Sequence, residues 1–449
     1  MLLVACGNQA AATRTASKSP APSASAIAAA TPQPTNDNPL SLAAIQRLDL
    51  RTGFVTGWTG TGLGLARTLD AGVTWQRIAV PTARITALRF IDANVGWAGG
   101  FIPRDVPQVA CAQAPPTQSS PCYGVVLRTV DGGRTWQTTL AIVDGGVYGD
   151  PVQQIQAVDG QVAWALTLAC GSTPAANLNC PTDLRRTTDG GHTWKTLVTD
   201  QIVSMRFATA TRGWLALVNQ NGSEVRFTND GGSTWTRGMQ TSSGAIIGLD
   251  AASSQVAWAM TRDGGYCSAS TCGKYELFRT LDGGSSWTSL GNPKPDTGNC
   301  VYGAIYGPLF ASPTRGWLAL NLGAGGVAAP GGLLQTEDGG KTWRCTNSPP
   351  NTYFVSAADP AHIWVSSNRR GDDATTLYSS DDGGTTWHAL DLSSLANGPV
   401  LPWRRGRKGR RRIFGAHAAH LRVQLLRCSL THARCARCAA RRFTRIWAT

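Results

Sequence analysis

Seven aspartates recur in near-identical phrases, and carboxylates repeated this way first suggest acid–base or metal chemistry. They are Asp70, Asp131, Asp189, Asp230, Asp282, Asp338 and Asp382. Each is the third residue of Thr/Ser-x-Asp-x-Gly-x-Thr/Ser-Trp, from Thr68–Trp75 to Ser380–Trp387. Successive aspartates lie 61, 58, 41, 52, 56 and 44 residues apart, a mean of 52. That is the length of one four-stranded propeller blade. A catalytic carboxylate needs one site, whereas a residue returning once per structural unit belongs to the scaffold. A short Asp side chain accepts N–H bonds from further along a tight turn. Six copies continue Gly-Gly and the first reads Ala71-Gly72, supplying positions that tolerate φ > 0. The closing Trp is expected to start the next strand and bury its ring between blades.

The elements that must position these turns follow from a second phrase upstream of each box. It is an apolar run, a polar turn, and then Gly96-Trp97, Ala163-Trp164, Gly213-Trp214, Ala257-Trp258, Gly316-Trp317 or Ile363-Trp364. The first unit offers either Gly53-Phe54 or Gly57-Trp58. In one repeat, strands A to D are read at Ile85–Phe90, Gly96–Gly100, Val125–Thr129 and Thr135–Leu140. The expected fold is all-β: a single seven-bladed β-propeller of four-stranded antiparallel blades with Asp-box hairpins, over residues 41–400. Alternating strand direction then puts the A–B and Asp-box turns on one face. The B–C loops and D–A linkers fall on the other.

That second face carries the irregular insertions and is the expected binding face. Its candidate residues are Arg104, Asp105, Tyr123, Tyr148, Asp150, Asp263, Tyr266, Tyr302, Arg369, Arg370 and Asp372. Tyr306 joins the tyrosines that would stack on sugars or simply pack. Close cysteine pairs fall in the same loops, which suggests the disulfides Cys111–Cys122, Cys170–Cys180, Cys267–Cys272 and Cys300–Cys345 and an oxidising compartment. A zinc site is disfavoured, since no CxxC pair or His cluster accompanies them. No metal or cofactor is expected.

Residues 1–6 end in Leu3-Val4-Ala5-Cys6, a phrase similar to a bacterial lipobox, which makes Cys6 the expected lipidation site. The apolar stretch is shorter than a full signal, so residues 1–6 read as truncated. Residues 7–40, rich in Ala, Ser, Thr and Pro, read as a disordered tether. The net charge of +14 comes from residues 401–449, which hold 14 of the 41 Lys and Arg and no acidic residue. Outside them 27 basic groups balance 27 acidic ones, so no nucleic-acid partner is expected. The tail breaks the repeat grammar and reads as frameshifted or disordered, with a basic arm as the functional alternative.

Phrases such as Leu127–Trp136 and Thr211–Trp214 resemble the Asp-box (BNR) propellers. That superfamily spans sialidases, sortilin-type receptors, family-74 xyloglucanases and photosystem II stability/assembly factors. Pairing of box with Gly-Trp strand most resembles the assembly-factor branch, where the resemblance implies an arginine patch for a membrane-protein client. Arg67, Arg128, Arg186 and Arg279 precede four boxes, and a solvated strand edge is the expectation for them. A sialidase site is disfavoured. The chain has three glutamates, and only Phe101-Ile102-Pro103-Arg104 approaches the family's Arg-Ile-Pro signature, reversed and after the first box. The expected function is a non-catalytic binding or assembly module, exported and lipid-anchored at a bacterial surface or periplasm. Its partner would be a protein or glycan, and the module a monomer. The alternative is a secreted glycoside hydrolase using paired loop-face aspartates.

Overall fold

The computed structural model describes residues 40–58, 64–81, 84–103, 122–142, 152–169, 181–219, 222–242, 244–264, 274–297, 304–321, 332–368, 375–397 and 400–401. They build seven antiparallel sheets whose four main strands follow chain order, with five residues of helix at Ser393–Asn397. Blade 2 runs Arg84–Phe90, Gly96–Pro103, Cys122–Thr129 and Gln137–Ile142. The fourth strand of blade 2 therefore begins just after box Trp136, whereas that of blade 6 starts at box Trp343 as expected. Every strand A touches the strand A of the next blade, including blade 7 against blade 1, so the innermost strands close a circle. Gly53 pairs with Thr68 as Gly96 pairs with Thr129, which settles the first unit on Gly53-Phe54.

The core is divided among the seven seams. Seven apolar clusters each bridge two adjacent blades, as where Trp164 and Leu166 of blade 3 meet Met205 and Phe207 of blade 4. Six upstream tryptophans are fully buried. Most box tryptophans are only half-buried, against expectation. Several turn the indole N–H back to their own hairpin, Trp235 to the Gly232 carbonyl at 3.0 Å for example.

Two kinds of seam alternate. Strand A ends on Phe90, Phe207 and Phe310 in the even blades, each paired across to Gly96, Gly213 or Gly316. Odd blades 3, 5 and 7 pair Ala157 with Ala163, Ala251 with Ala257, and Ala357 with Ile363. Each Phe ring lies over its glycine, where a Cβ on Gly213 would come within 2.2 Å of Phe207. Each also stacks on the inner aromatic of the preceding blade. Phe54–Phe90, Trp164–Phe207 and Trp258–Phe310 centroids are 3.6, 3.8 and 3.5 Å apart. Stacked aromatic pairs add about 0.5–1.5 kcal/mol beyond burial.

The four pre-box arginines are not a solvated edge. Arg67 donates to the Gly132 carbonyl of the next blade's box, and Arg186 to those of Asp230 and Ala210. Arg128 reaches Gly160 and Arg279 reaches Asp338. Arg128, Arg186 and Arg279 also lie over Trp97, Trp164 and Trp258. Where Phe227 and Gln335 replace that arginine, Arg212 and Arg315 arrive from the A–B turn and meet Gly283 and Gly383. Arg47 fills the last seam from blade 1, binding the Ile363 and Ser380 carbonyls, Ser379 Oγ and Asp381. All seven seams thus carry one guanidinium, because the wedge leaves box carbonyls beside an aromatic face that welcomes a cation.

Two short strands lie outside the expected grammar. Pro295–Thr297, expected as linker, adds in parallel to the outer edge of blade 6. Val400–Leu401 adds likewise to Arg77–Ile78 of blade 1. Both cover an otherwise open outer edge.

Candidate functional site

The Asp-box face shows what its carboxylates do. In the hairpin of blade 4, Asp230 Oδ1 accepts the Thr228 hydroxyl at 2.8 Å and the Thr234 N–H at 2.9 Å. Asp230 Oδ2 takes the Thr234 hydroxyl at 2.6 Å, while Thr228 Oγ1 accepts the Gly232 N–H. The same bonds recur at Asp70, Asp131, Asp189, Asp282, Asp338 and Asp382. Gly231 N–H, one residue on, bonds to the Thr211 carbonyl of the A–B turn, and its counterparts do so in every blade. This bond puts the two turns side by side on one face, as the topology predicts.

Both oxygens of each box carboxylate are therefore engaged within their own hairpin. The Thr234 hydroxyl and N–H pull Asp230 well below the usual carboxylate range. At Asp338 partial burial works upward, but the Thr342 and Thr336 bonds outweigh it and hold the group at about 2. A carboxylate so held is a poor general base at neutral pH.

On the opposite face, two of the eleven candidates fall among the described residues. Tyr123, in strand C of blade 2, is half-buried against the cluster at the blade 1/2 seam. Asp263 ends strand B of blade 5 and is exposed. Arg104, Asp105, Tyr148, Asp150, Tyr266, Tyr302, Arg369, Arg370 and Asp372 lie outside the described residues, as does Cys6. So do the sulfurs of Cys111, Cys122, Cys170, Cys180, Cys267, Cys272 and Cys300. Cys345 is disulfide-bonded, and its partner is likewise outside them.

Carboxylates near this face that are described are mostly tied up. Buried Glu224 is clamped by Arg226 and, at 2.9 Å, by Arg237. Asp183 pairs with Arg185 at 2.7 Å and accepts the Thr199 hydroxyl. Glu276 accepts the Ser289 hydroxyl. Among the described residues no three His, Cys, Asp or Glu side chains converge on a metal position.

What this face does present is aromatic. Tyr306 of strand A in blade 6 stands 5.9 Å, centroid to centroid, from Tyr353 of strand A in blade 7. Tyr306 is 38% exposed and neighbouring Phe354 is 37% exposed. Both strands are innermost, and these residues lie toward the ends where they enter from the loop-rich face. The three residues thus gather near the loop-rich end of two neighbouring inner strands. Tyr306 was legible as a stacking candidate, whereas Tyr353 and Phe354 were not singled out. Their side-by-side aromatic types after Pro349-Pro350-Asn351 were the available signal.

A ring of seven four-stranded blades with a recurrent Asp-box hairpin defines the class: an Asp-box β-propeller. The chain matches no protein-family model and no curated protein sequence. Among solved structures it is similar to "YCF48 bound to D1 peptide", at 20% identity over 77% of this chain and 94% of that one, with a TM-score of 0.49. It is also similar to the Niastella koreensis GH74 enzyme, at 14% identity, 78% and 66% coverage and a TM-score of 0.48. A third is a PL25 ulvan lyase bound to -[GlcA(1-4)Rha3S]-, at 13% identity, 80% and 96% coverage and a TM-score of 0.46.

Proposed function

We propose that this protein is a non-catalytic binding module that receives a protein or glycan partner at these aromatic residues on its loop-rich face. The observation that carries the reading is exposed Tyr306 beside half-buried Tyr353, with exposed Phe354 next in the chain, on strands fixed by two seams. Large rings that need no ordering on contact lower the entropic cost of binding. Engagement of Asp183 and Glu224 with arginines supports recognition over hydrolysis. Export and anchoring through Cys6 belong to the same proposal, supported by the lipobox-like phrase and the cysteine pairs in the loops.

The test places a photoreactive residue at Phe354, and separately at exposed Leu281 on the Asp-box face. Crosslinks to one defined partner are expected from position 354 and not from 281. Equal capture at 281 refutes the reading. So does polysaccharide turnover that the Asp263→Asn variant abolishes.

A further inference from the structure

Six polar side chains occupy one register position around the channel, each opposite the inner aromatic of its blade: Gln46, Arg89, Gln156, Arg206, Asp250 and Ser356. Leu309 is the seventh. Four of the six satisfy the backbone of the following blade. Gln46 accepts the Phe90 N–H and donates to its carbonyl, and Gln156 does the same with Phe207 N–H and the Met205 carbonyl. Asp250 Oδ2 accepts the Phe310 N–H at 2.5 Å, and Ser356 Oγ accepts that of Arg47. Arg206 turns to Asp250 Oδ1 at 2.9 Å and weakly to the Ala251 carbonyl.

Arg89 differs from the rest. It makes no hydrogen bond or ion pair among the described residues. Its electrostatic neighbours are Arg206 of blade 4 and Asp250 of blade 5, neither of which adjoins blade 2. On its innermost strand Arg89 holds the same register position as Arg206 and Asp250 do on theirs, so the three share one level of the ring. The belt therefore carries two guanidiniums and one carboxylate, and that carboxylate is already bound to Arg206 and to a backbone N–H. Burial, then the charge of Arg206, lowers Arg89 to about 10, with Asp250 acting the other way. A half-buried cation without a hydrogen-bonded partner among the described residues favours an anionic guest.

We propose that the central channel binds an oxyanion, a carboxylate or phosphate group, held between the guanidiniums of Arg89 and Arg206. Planar guanidinium forks suit two-oxygen acceptors, and two of them around one anion resolve their mutual repulsion. The anion is either a small solute or the acidic side chain of a chain entering the channel. This site is independent of the aromatic residues on the loop-rich face and stands if that reading fails.

Calorimetry on the full chain at fixed ionic strength tests it with four probes: inorganic phosphate, acetate, a blocked aspartyl tripeptide and its asparaginyl counterpart. Saturable binding of phosphate or acetate indicates a solute, and binding of the aspartyl but not the asparaginyl peptide indicates an entering chain. Either is expected to weaken at least tenfold in Arg89→Gln and to recover in part in Arg89→Lys, which restores charge without the fork. Binding should also raise the melting temperature of the wild type with ligand concentration, a readout that does not depend on the variants folding. No saturable binding of any probe to the wild type overturns the proposal. So does affinity unchanged in a folded Arg89→Gln protein.

Discussion

The stacked seams and the alanine seams fill the same wedge by different means. Entering blades 2, 4 and 6, a Phe at the end of strand A lies over a glycine and stacks on the aromatic behind it. The box Trp then meets that Phe edge-on, as Trp235 meets Phe207 at 6.2 Å. Entering blade 3 there is no Phe, and Trp194 instead meets the inner Trp97 itself at 5.9 Å. Volume moved onto one strand is removed from its partner, and the box ring shifts to take up the rest. The repeating choice is thus a cross-strand pair, Phe with Gly or Ala with an aliphatic residue (Ala in blades 3 and 5, Ile in blade 7), rather than a residue. Dense packing leaves few other solutions.

The largest expected effect breaks that pairing. Phe207→Ala should cost about 3–5 kcal/mol, and Gly213→Ala about 1–3 kcal/mol by overpacking. The double variant, which imitates an alanine seam, should cost clearly less than the two singles together when urea midpoints are followed by Trp fluorescence. Additive losses would mean that the two positions are not coupled.

Next in size are the guanidinium ties, which should ignore seam type. Arg186→Leu in a stacked seam and Arg128→Leu in an alanine seam should each cost about 1–3 kcal/mol, because each leaves partly buried carbonyl oxygen without its guanidinium donor. A large difference between them would make the tie part of the alternation.

The smallest effect concerns the hairpins, which are alike in both seams. Asp230→Ala should cost on the order of 1 kcal/mol for lost bonds. Asp338 and Asp382 are held at about 2, below their unfolded value of about 3.9. A depressed carboxylate stabilises the fold above the unfolded value, and that contribution fades as pH falls from about 4 towards 2. Acid titration of the urea midpoint should fall over that range, and less steeply in Asp338→Asn. An unchanged slope would show that the box does not govern acid sensitivity.

The sequence carried the blade count, the hairpins and the two faces because each is written once per blade. Seven copies make a period visible even where single strands are ambiguous. The arginines were misread because exposure is judged from strand alternation. Their long stems instead carry the charge across a seam onto a neighbour's carbonyls and an indole face. Arg212 and Arg315 reach the same place from a different element, which no spacing rule connects. The Gly/Ala alternation before Trp was present in the letters, yet only the register makes those residues opposite Phe or Ala. The aromatic residues near the loop-rich end were hidden for another reason. Register shifts between Tyr306 and Leu309, and between Thr352 and Val355, re-aim side chains that a strict period of two would place elsewhere.

A cycle with an odd number of members cannot be coloured with two alternating colours. The mismatch must fall at some joint, and it falls at blade 7/1, where Arg47 stands opposite Gly53 and the Trp364 ring occupies the space a Cβ would need. At that joint the backbone leaves blade 7 and returns to blade 1, where Val400–Leu401 pairs in parallel with Arg77–Ile78. A chain cut after Asn397 would release this strap and loosen the misfit joint while every matched joint stays chemically untouched.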